Sequence, residues 1–254
     1  MNRVAISLLV FLTALSGLIP VLALGKNSSD GAHEFYFTRL AYTENGTRGF
    51  GRSLGNTYTC PEFGGGSFFP PQGVGWSMDS PGADCKFMGA VHRLTGLNVF
   101  PNPNMIEILD DSLFKFPYAY IVEPGGMDLT KNEAAQLREY MLRGGFIHAD
   151  DFWGLEEKEN FEYQMKKVFP EYSFEVLPLS DGVFHTFFDI DEIIQIPGQN
   201  AGCYGGPTYE RYDDREARIY GLRDDKHRLM LVVTYNSDLG DAWGYTDLPL
   251  LPAK

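Results

Sequence analysis

The sequence predicts a three-layer α/β domain built on a mostly parallel central sheet. Two observations carry that expectation. Between Phe116 and Gly154 the chain reads "FPYAYIVEPGG", "LTKNEAAQLREYMLRGG" and "FIHADDFWG". That is a strand, an amphipathic helix and a second strand joined by short turns, the order of a right-handed parallel βαβ unit. Strand and helix patterns go on alternating along the chain, and a content of 44% hydrophobic and 14% aromatic residues is enough to bury a substantial core.

Taken in order, the chain opens on Met1-Asn2-Arg3 and "VAISLLVFLTALSGLIPVLALG", one positive charge, an apolar run and small residues around Ala23. This is the pattern of an export signal. Cleavage after Ala23 leaves residues 24–33 as a linker; uncleaved, the run approaches the ~20 residues of a membrane anchor. Residues 34–254 are then expected as one domain outside the cytoplasm, periplasmic or extracellular, with no membrane contact beyond the N-terminal segment. "EFYFTRLAY" reads as a first strand. Residues 43–80 turn to Gly, Pro, Asn and Ser and form an irregular insertion with no helical or strand period. In "ADCKFMGAVHRLTG", Phe87, Val91 and Leu94 share a helical face and Gly96 is the stop. "LNVFP" reads as a short strand.

"YAYIV" is a stronger strand, ending at Glu123. The following helix carries a capping box, Thr130 with Glu133, and an apolar stripe of Ala134, Leu137 and Met141 before Gly144. After "FIHA", Glu156 to Phe169 forms a helix with Phe161, Met165 and Val168 inward. "SFEVLPL" is a strand or extended edge, "DGVFHTFFDIDEIIQIPG" has no clean period, and "ARIYGLRDD" with "HRLMLVVTYNSDLGD" closes as a hairpin-like pair.

A formal charge of -13 excludes a nucleic-acid backbone or an anionic lipid surface as the natural partner, because like charges repel throughout the approach. Cysteine usage is sparse: Cys60, Cys85 and Cys203. Cys85 reads as a buried helical thiol, and a bridge between Cys60 and Cys203, both in Gly-rich loops, is open. No CxxC or Cys/His spacing points to structural zinc.

Ligands of open α/β sheets bind beyond the carboxyl ends of the strands. The residues that follow the strands here are Glu123, then Asp150 and Asp151, then Asn236, Asp238 and Asp241, all acidic or amide oxygens. Gathered on one rim, they suit a hard divalent cation such as calcium or magnesium. The structural alternative is that Asp150 and Asp151 cap the helix beginning near Glu156 or brace the turn, and that "SDLGD" is a turn. His148 shares a strand face with Asp150 by period-two alternation and reads as a core histidine or a proton carrier. His185, among phenylalanines, is either a buried donor or an acid/base at the rim. Phe63, Phe68, Phe69, Trp76, Trp153 and Tyr204 crowd the long loops, as core or as a stacking surface for a glycan or partner segment. No nucleophile elbow, Rossmann fingerprint or phosphate loop occurs in its required context.

The segments "FYFTRLAY", "LTGLNVFPN", "EPGGMDLTKNEAAQLREYMLRGGFIHADDFWG", "VFHTFFDIDEIIQIPG" and "LMLVVTYNSDLGDAWGY" together resemble one bacterial family, the domain of unknown function 4159, often exported or membrane-attached. The resemblance runs over most of the chain from Glu34 to Tyr245. It implies a flavodoxin-like sheet akin to the class I glutamine-amidotransferase-like and trehalose-utilisation-like α/β domains. Glutaminase chemistry does not carry over, because the elbow after "FIHA" offers Asp150 and Asp151 where those enzymes have a cysteine. The insertion looks longer than is usual for the family, and the chain stops at "LPLLPAK", where such proteins continue into a last helix.

Two functions of different class follow. The leading expectation is an envelope-associated, non-catalytic binding or assembly module that uses the acidic rim and the aromatic insertion for a protein or glycan partner, with or without a divalent cation. The other is a metal-assisted hydrolase of an envelope carbohydrate or ester. There Glu123, Asp150, Asp151, Asn236 and Asp238 hold the metal, and His148, His185 and Asp150 do the chemistry.

Overall fold

The computed structural model describes residues 33–44, 47–48, 59–65, 75–198 and 205–244. The export segment, most of the linker and insertion, Phe68, Phe69, Cys203, Tyr204 and the C-terminal "LPLLPAK" lie outside the described residues. In chain order the elements are β1 (Thr38–Ala41), β2 (Thr43–Glu44), β3 (Thr47–Arg48), α1 (Gly82–Thr95), β4 (Asn104–Glu107), β5 (Tyr118–Val122) and α2 (Lys131–Leu142). These are followed by β6 (Phe146–Asp150), α3 (Gly154–Val168), β7 (Glu175–Val176), β8 (Arg218–Arg223), β9 (Leu229–Tyr235) and α4 (Leu239–Gly244).

Seven strands form one sheet in the order β4-β1-β5-β6-β9-β8-β7, while β2 and β3 make a separate two-stranded ladder. The pairs β4/β1, β1/β5, β5/β6 and β6/β9 are parallel, and β8 and β7 add an antiparallel edge. Counted along the chain, the five parallel strands lie in the order 2-1-3-4-5, the flavodoxin-like arrangement.

Alternation along the central strands sends side chains to two cores, which makes the molecule three-layered. Tyr118, Tyr120 and Val122 of β5 join Phe37, Phe87 and Trp243 on one face, beside α1 and α4. Ala119 and Ile121 join Leu137, Met141 and Phe161 on the other, beside α2 and α3. Such strands, buried on both faces, read as near-continuous apolar runs.

The predicted capping box of α2 is present: Thr130 Oγ1 accepts from Glu133 N at 3.2 Å, and Glu133 Oε2 accepts from Thr130 N at 2.8 Å. Three expectations are corrected. Val99, in "LNVFP", makes only an isolated bridge to Phe35, and the strand is β4, one segment later. Pro101 and Pro103 have no N–H to give a ladder, so regular pairing waits until they are passed. Leu94, expected inward, is exposed, because the last turn of α1 overhangs the core. Cys85 is not a thiol: it is disulfide-bonded to Cys60, with Cα atoms 5.4 Å apart, which ties residues 59–65 to the first turn of α1. Among the described residues no helix is long and apolar enough to cross a membrane.

Candidate functional site

Because β5, β6 and β9 run parallel, their carboxyl ends meet on one edge, and the chain leaves each by the same device. Glu123, Asp151 and Asn236, the residues directly after these strands, all adopt left-handed backbone, with φ of 50°, 58° and 54°. Asp79, in the crossover from β1 to α1, does the same with φ of 63°. Non-glycine residues pay ~1 kcal/mol or more for this conformation and keep it only where their surroundings impose it. At this edge the turns aim carboxyl groups inward.

Asp150, the last residue of β6, is fully enclosed. Its Oδ2 accepts from Tyr120 Oη at 2.9 Å and from the backbone N–H groups of Leu239 and Gly240 at 2.9 and 3.2 Å, and its Oδ1 accepts from Thr234 Oγ1. Burial pushes its pKa up to about 7 against the pull of these four donors. Asp150 therefore anchors the start of α4. The expectation that Asp150 and Asp151 cap the helix after them is not met: α3 begins on Asn236 Oδ1, which accepts from Gly154 N at 3.0 Å, and on Asp213 Oδ2, which accepts from Leu155 N at 3.1 Å.

Asp151, Asp238 and Asp79 converge. One carboxylate oxygen from each lies within 4.8 Å of the other two, and all three residues are buried. Asp151 Oδ1 accepts from Trp153 Nε1 at 2.8 Å, and Asp238 Oδ1 accepts from the backbone N–H of Asp241 at 2.7 Å. Asp79 Oδ2 is buried with no hydrogen-bond partner among the described residues. Burial first, then the repulsion of neighbouring carboxylates, pushes Asp79 up to about 7 and holds Asp151 and Asp238 well above the usual carboxylate range. Arg39, the buried cation among the described residues, is committed elsewhere. It pairs with Asp84, donates to the Trp76 carbonyl at 3.3 Å, and lies 5.0 Å over the Tyr120 ring.

Above this trio opens a cavity of about 1040 Å³ whose walls, among the described residues, carry eleven carboxylates and a single arginine, Arg211. Arg211 is itself paired with Glu157 at 2.9 Å. Glu123 stands on the wall, half-buried, and burial raises it to about 7.

Of the residues singled out from sequence, Glu123, Asp151 and Asp238 line this cavity, as does Asp241, while Asp150 lies beneath it. Asn236 does not face it: besides accepting from Gly154 N, its Nδ2 donates to the backbone carbonyls of Asp214 and Glu216 at 3.3 and 3.0 Å. Nor does either candidate histidine line it. His148 is enclosed, with Nδ1 3.4 Å from Tyr118 Oη and Nε2 3.1 Å from Thr234 Oγ1, and desolvation lowers its pKa to about 3. His185 is exposed and held by Asp189 Oδ1 at 3.0 Å and the Leu179 carbonyl at 2.7 Å. Trp76 is a core residue, whereas Trp153, also buried, lines the cleft. The residue missed from sequence is Asp79. Its signal was the "DSPG" start of α1: a helix that follows a parallel strand begins on the carboxyl edge of the sheet.

Fold and site together define an α/β domain of flavodoxin-like strand order with a buried acidic centre at its carboxyl edge. The family model described as Domain of unknown function (DUF4159) matches residues 71–252, and the chain belongs to that family. No curated protein matches the chain.

Proposed function

We propose that this protein is an exported, envelope-associated binding or assembly module whose strand-end cleft receives a positively charged protein segment or a cation-bridged glycan. The observation that carries the reading is the lining of the cleft, which among the described residues sets eleven carboxylates against one arginine already paired within it. Such a wall concentrates cations and repels anions. The Cys60–Cys85 disulfide supports a location in an oxidising compartment, in line with the export-type N-terminal sequence.

A metal-assisted hydrolase is the second reading, and one observation favours it: Asp151 occupies a left-handed elbow between β6 and α3 at the base of the cleft. In that case Glu123, raised to about 7, is the group placed to carry protons, since the candidate histidines lie elsewhere.

The test titrates the full chain with a lysine-rich peptide and with a neutral oligosaccharide, each with and without Ca²⁺, alongside chromogenic esters and glycosides with Mg²⁺, Mn²⁺, Ca²⁺ or Zn²⁺. The module reading expects saturable binding that weakens with salt and is several-fold weaker in a Glu44→Gln/Glu210→Gln variant. No saturable binding of either probe would sink it. Turnover that disappears in Asp151→Asn would replace it with the hydrolase.

A further inference from the structure

We propose that Asp79, Asp151 and Asp238 are the protein ligands of a hard divalent cation seated at the base of the cleft. The proposal rests on the reading of the cleft as a receptor for positive charge and adds coordination chemistry to it.

Three features distinguish this trio from a chance gathering of acids. The first is spacing. Oxygens around Ca²⁺ stand about 2.4 Å from the ion, so that ligands on opposite sides are about 4.8 Å apart, and the three carboxylates offer oxygens within 4.8 Å of one another. The second is Asp79 Oδ2. It is buried without a hydrogen-bond partner among the described residues, on a residue that is 5% exposed, a costly state for a carboxylate oxygen unless a cation completes it. The third is Gly240. A Cβ there would stand 2.8 Å from Asp79 Oδ2 and 3.4 Å from Asp238 Oδ1, so the backbone at the start of α4 is bare where these two carboxylates approach it.

The ligands come from three separate parts of the fold: the entry to α1, the elbow after β6 and the turn after β9. The other bonds of Asp151 and Asp238, to Trp153 Nε1 and to the Asp241 N–H, fix their orientation and leave acceptor capacity on each. An all-carboxylate set selects Ca²⁺, Mg²⁺ or Mn²⁺ over the softer metals that need imidazole or thiolate. No histidine lines the cleft, and the cysteines of the other candidate ligand group, Cys60 and Cys85, are joined to each other.

Trp153, bonded to Asp151, supplies the readout, since an excited indole sensitises Tb³⁺ luminescence only when the ion sits close by. The experiment titrates the full chain with Tb³⁺, displaces it with Ca²⁺, Mg²⁺ and Mn²⁺, and repeats the titration on Asp79→Asn and Glu156→Gln. Asp79→Asn removes a charge from a self-repelling cluster, so the variant folds. Glu156→Gln removes an exposed cleft charge away from the trio.

Saturable, indole-sensitised luminescence at one ion per chain is expected, weakened at least tenfold by Asp79→Asn and less than about threefold by Glu156→Gln, whose charge solvent screens. Equal weakening by the two variants, or no sensitised luminescence from the folded protein, would overturn the site. Cobalt(III) hexammine, which cannot exchange its ligands, probes the charged cleft alone. If it binds while Tb³⁺ and Ca²⁺ do not, the coordination site falls and the cation-receiving cleft stands; if none of them binds, both fall.

Discussion

At the scale of single residues, His148 and Asp79 have opposite roles although both are buried. His148 sits between the hydroxyls of Tyr118 and Thr234, and desolvation keeps its ring neutral at physiological pH. It holds Thr234, which in turn donates to Asp150. We expect His148→Ala to cost about 2–4 kcal/mol, from the cavity and the hydroxyls left unpaired. Denaturant unfolding measures that loss, while cation affinity at the trio stays within about twofold. A folded His148→Ala protein that no longer binds Ca²⁺ would return the histidine to the site. Asp151 and Asp238 were legible in the sequence because each follows a strand end closely. Asp79 was not, because it lies at the end of a Gly- and Pro-rich stretch with no strand directly before it. The exclusion of Asn236 could not be read either, since both ends of its amide are taken by backbone groups distant in sequence.

At the scale of elements, what positions Asp79 is the start of α1, and what holds α1 to the preceding loop is the Cys60–Cys85 bridge. It closes a loop with a sequence separation of 25 residues. Chain-entropy arithmetic for that length gives about 3.5 kcal/mol. For a chain of this size the loss corresponds to a fall in Tm of roughly 7–14 °C. Calorimetry of a Cys60→Ala/Cys85→Ala variant measures it, and an unchanged Tm would show that the bridge does not constrain the fold. The pairing itself was hidden from the sequence, where Cys85 looked like one more inward face of a helix and Cys60 and Cys203 looked alike as loop cysteines. By contrast α2 was legible to its caps, because Thr130 and Glu133 bond within one turn and owe nothing to distant contacts. β4 was misplaced by one segment, since which extended stretch pairs with β1 depends on where the prolines end.

At the scale of the whole molecule, the parallel order of β1, β5, β6 and β9 brings separated acids to one edge, and that convergence sets how stability depends on pH. Asp79, Asp150 and Glu123 are each raised to about 7 in the folded protein, from ordinary values of 3.8, 3.8 and 4.5. A carboxyl raised in this way contributes stability that is fully present below its unfolded pKa and is lost as the pH rises through its folded one. The metal-free protein should therefore weaken progressively from about pH 4 to about pH 7, the span between the unfolded and folded values, although most proteins are near their optimum in the upper part of it. A bound divalent cation reverses that loss, by about 2.7 kcal/mol at 100 times its dissociation constant. The measurement that tests this most directly is the Tm of the full chain across that pH range, in chelator and in excess Ca²⁺ or Mn²⁺, for the native sequence and for Asp79→Asn. The account predicts a Tm that falls with rising pH in chelator, recovers by several degrees with the cation, and does neither to the same extent in Asp79→Asn. A Tm that stays level through pH 7 and ignores every divalent ion would contradict it.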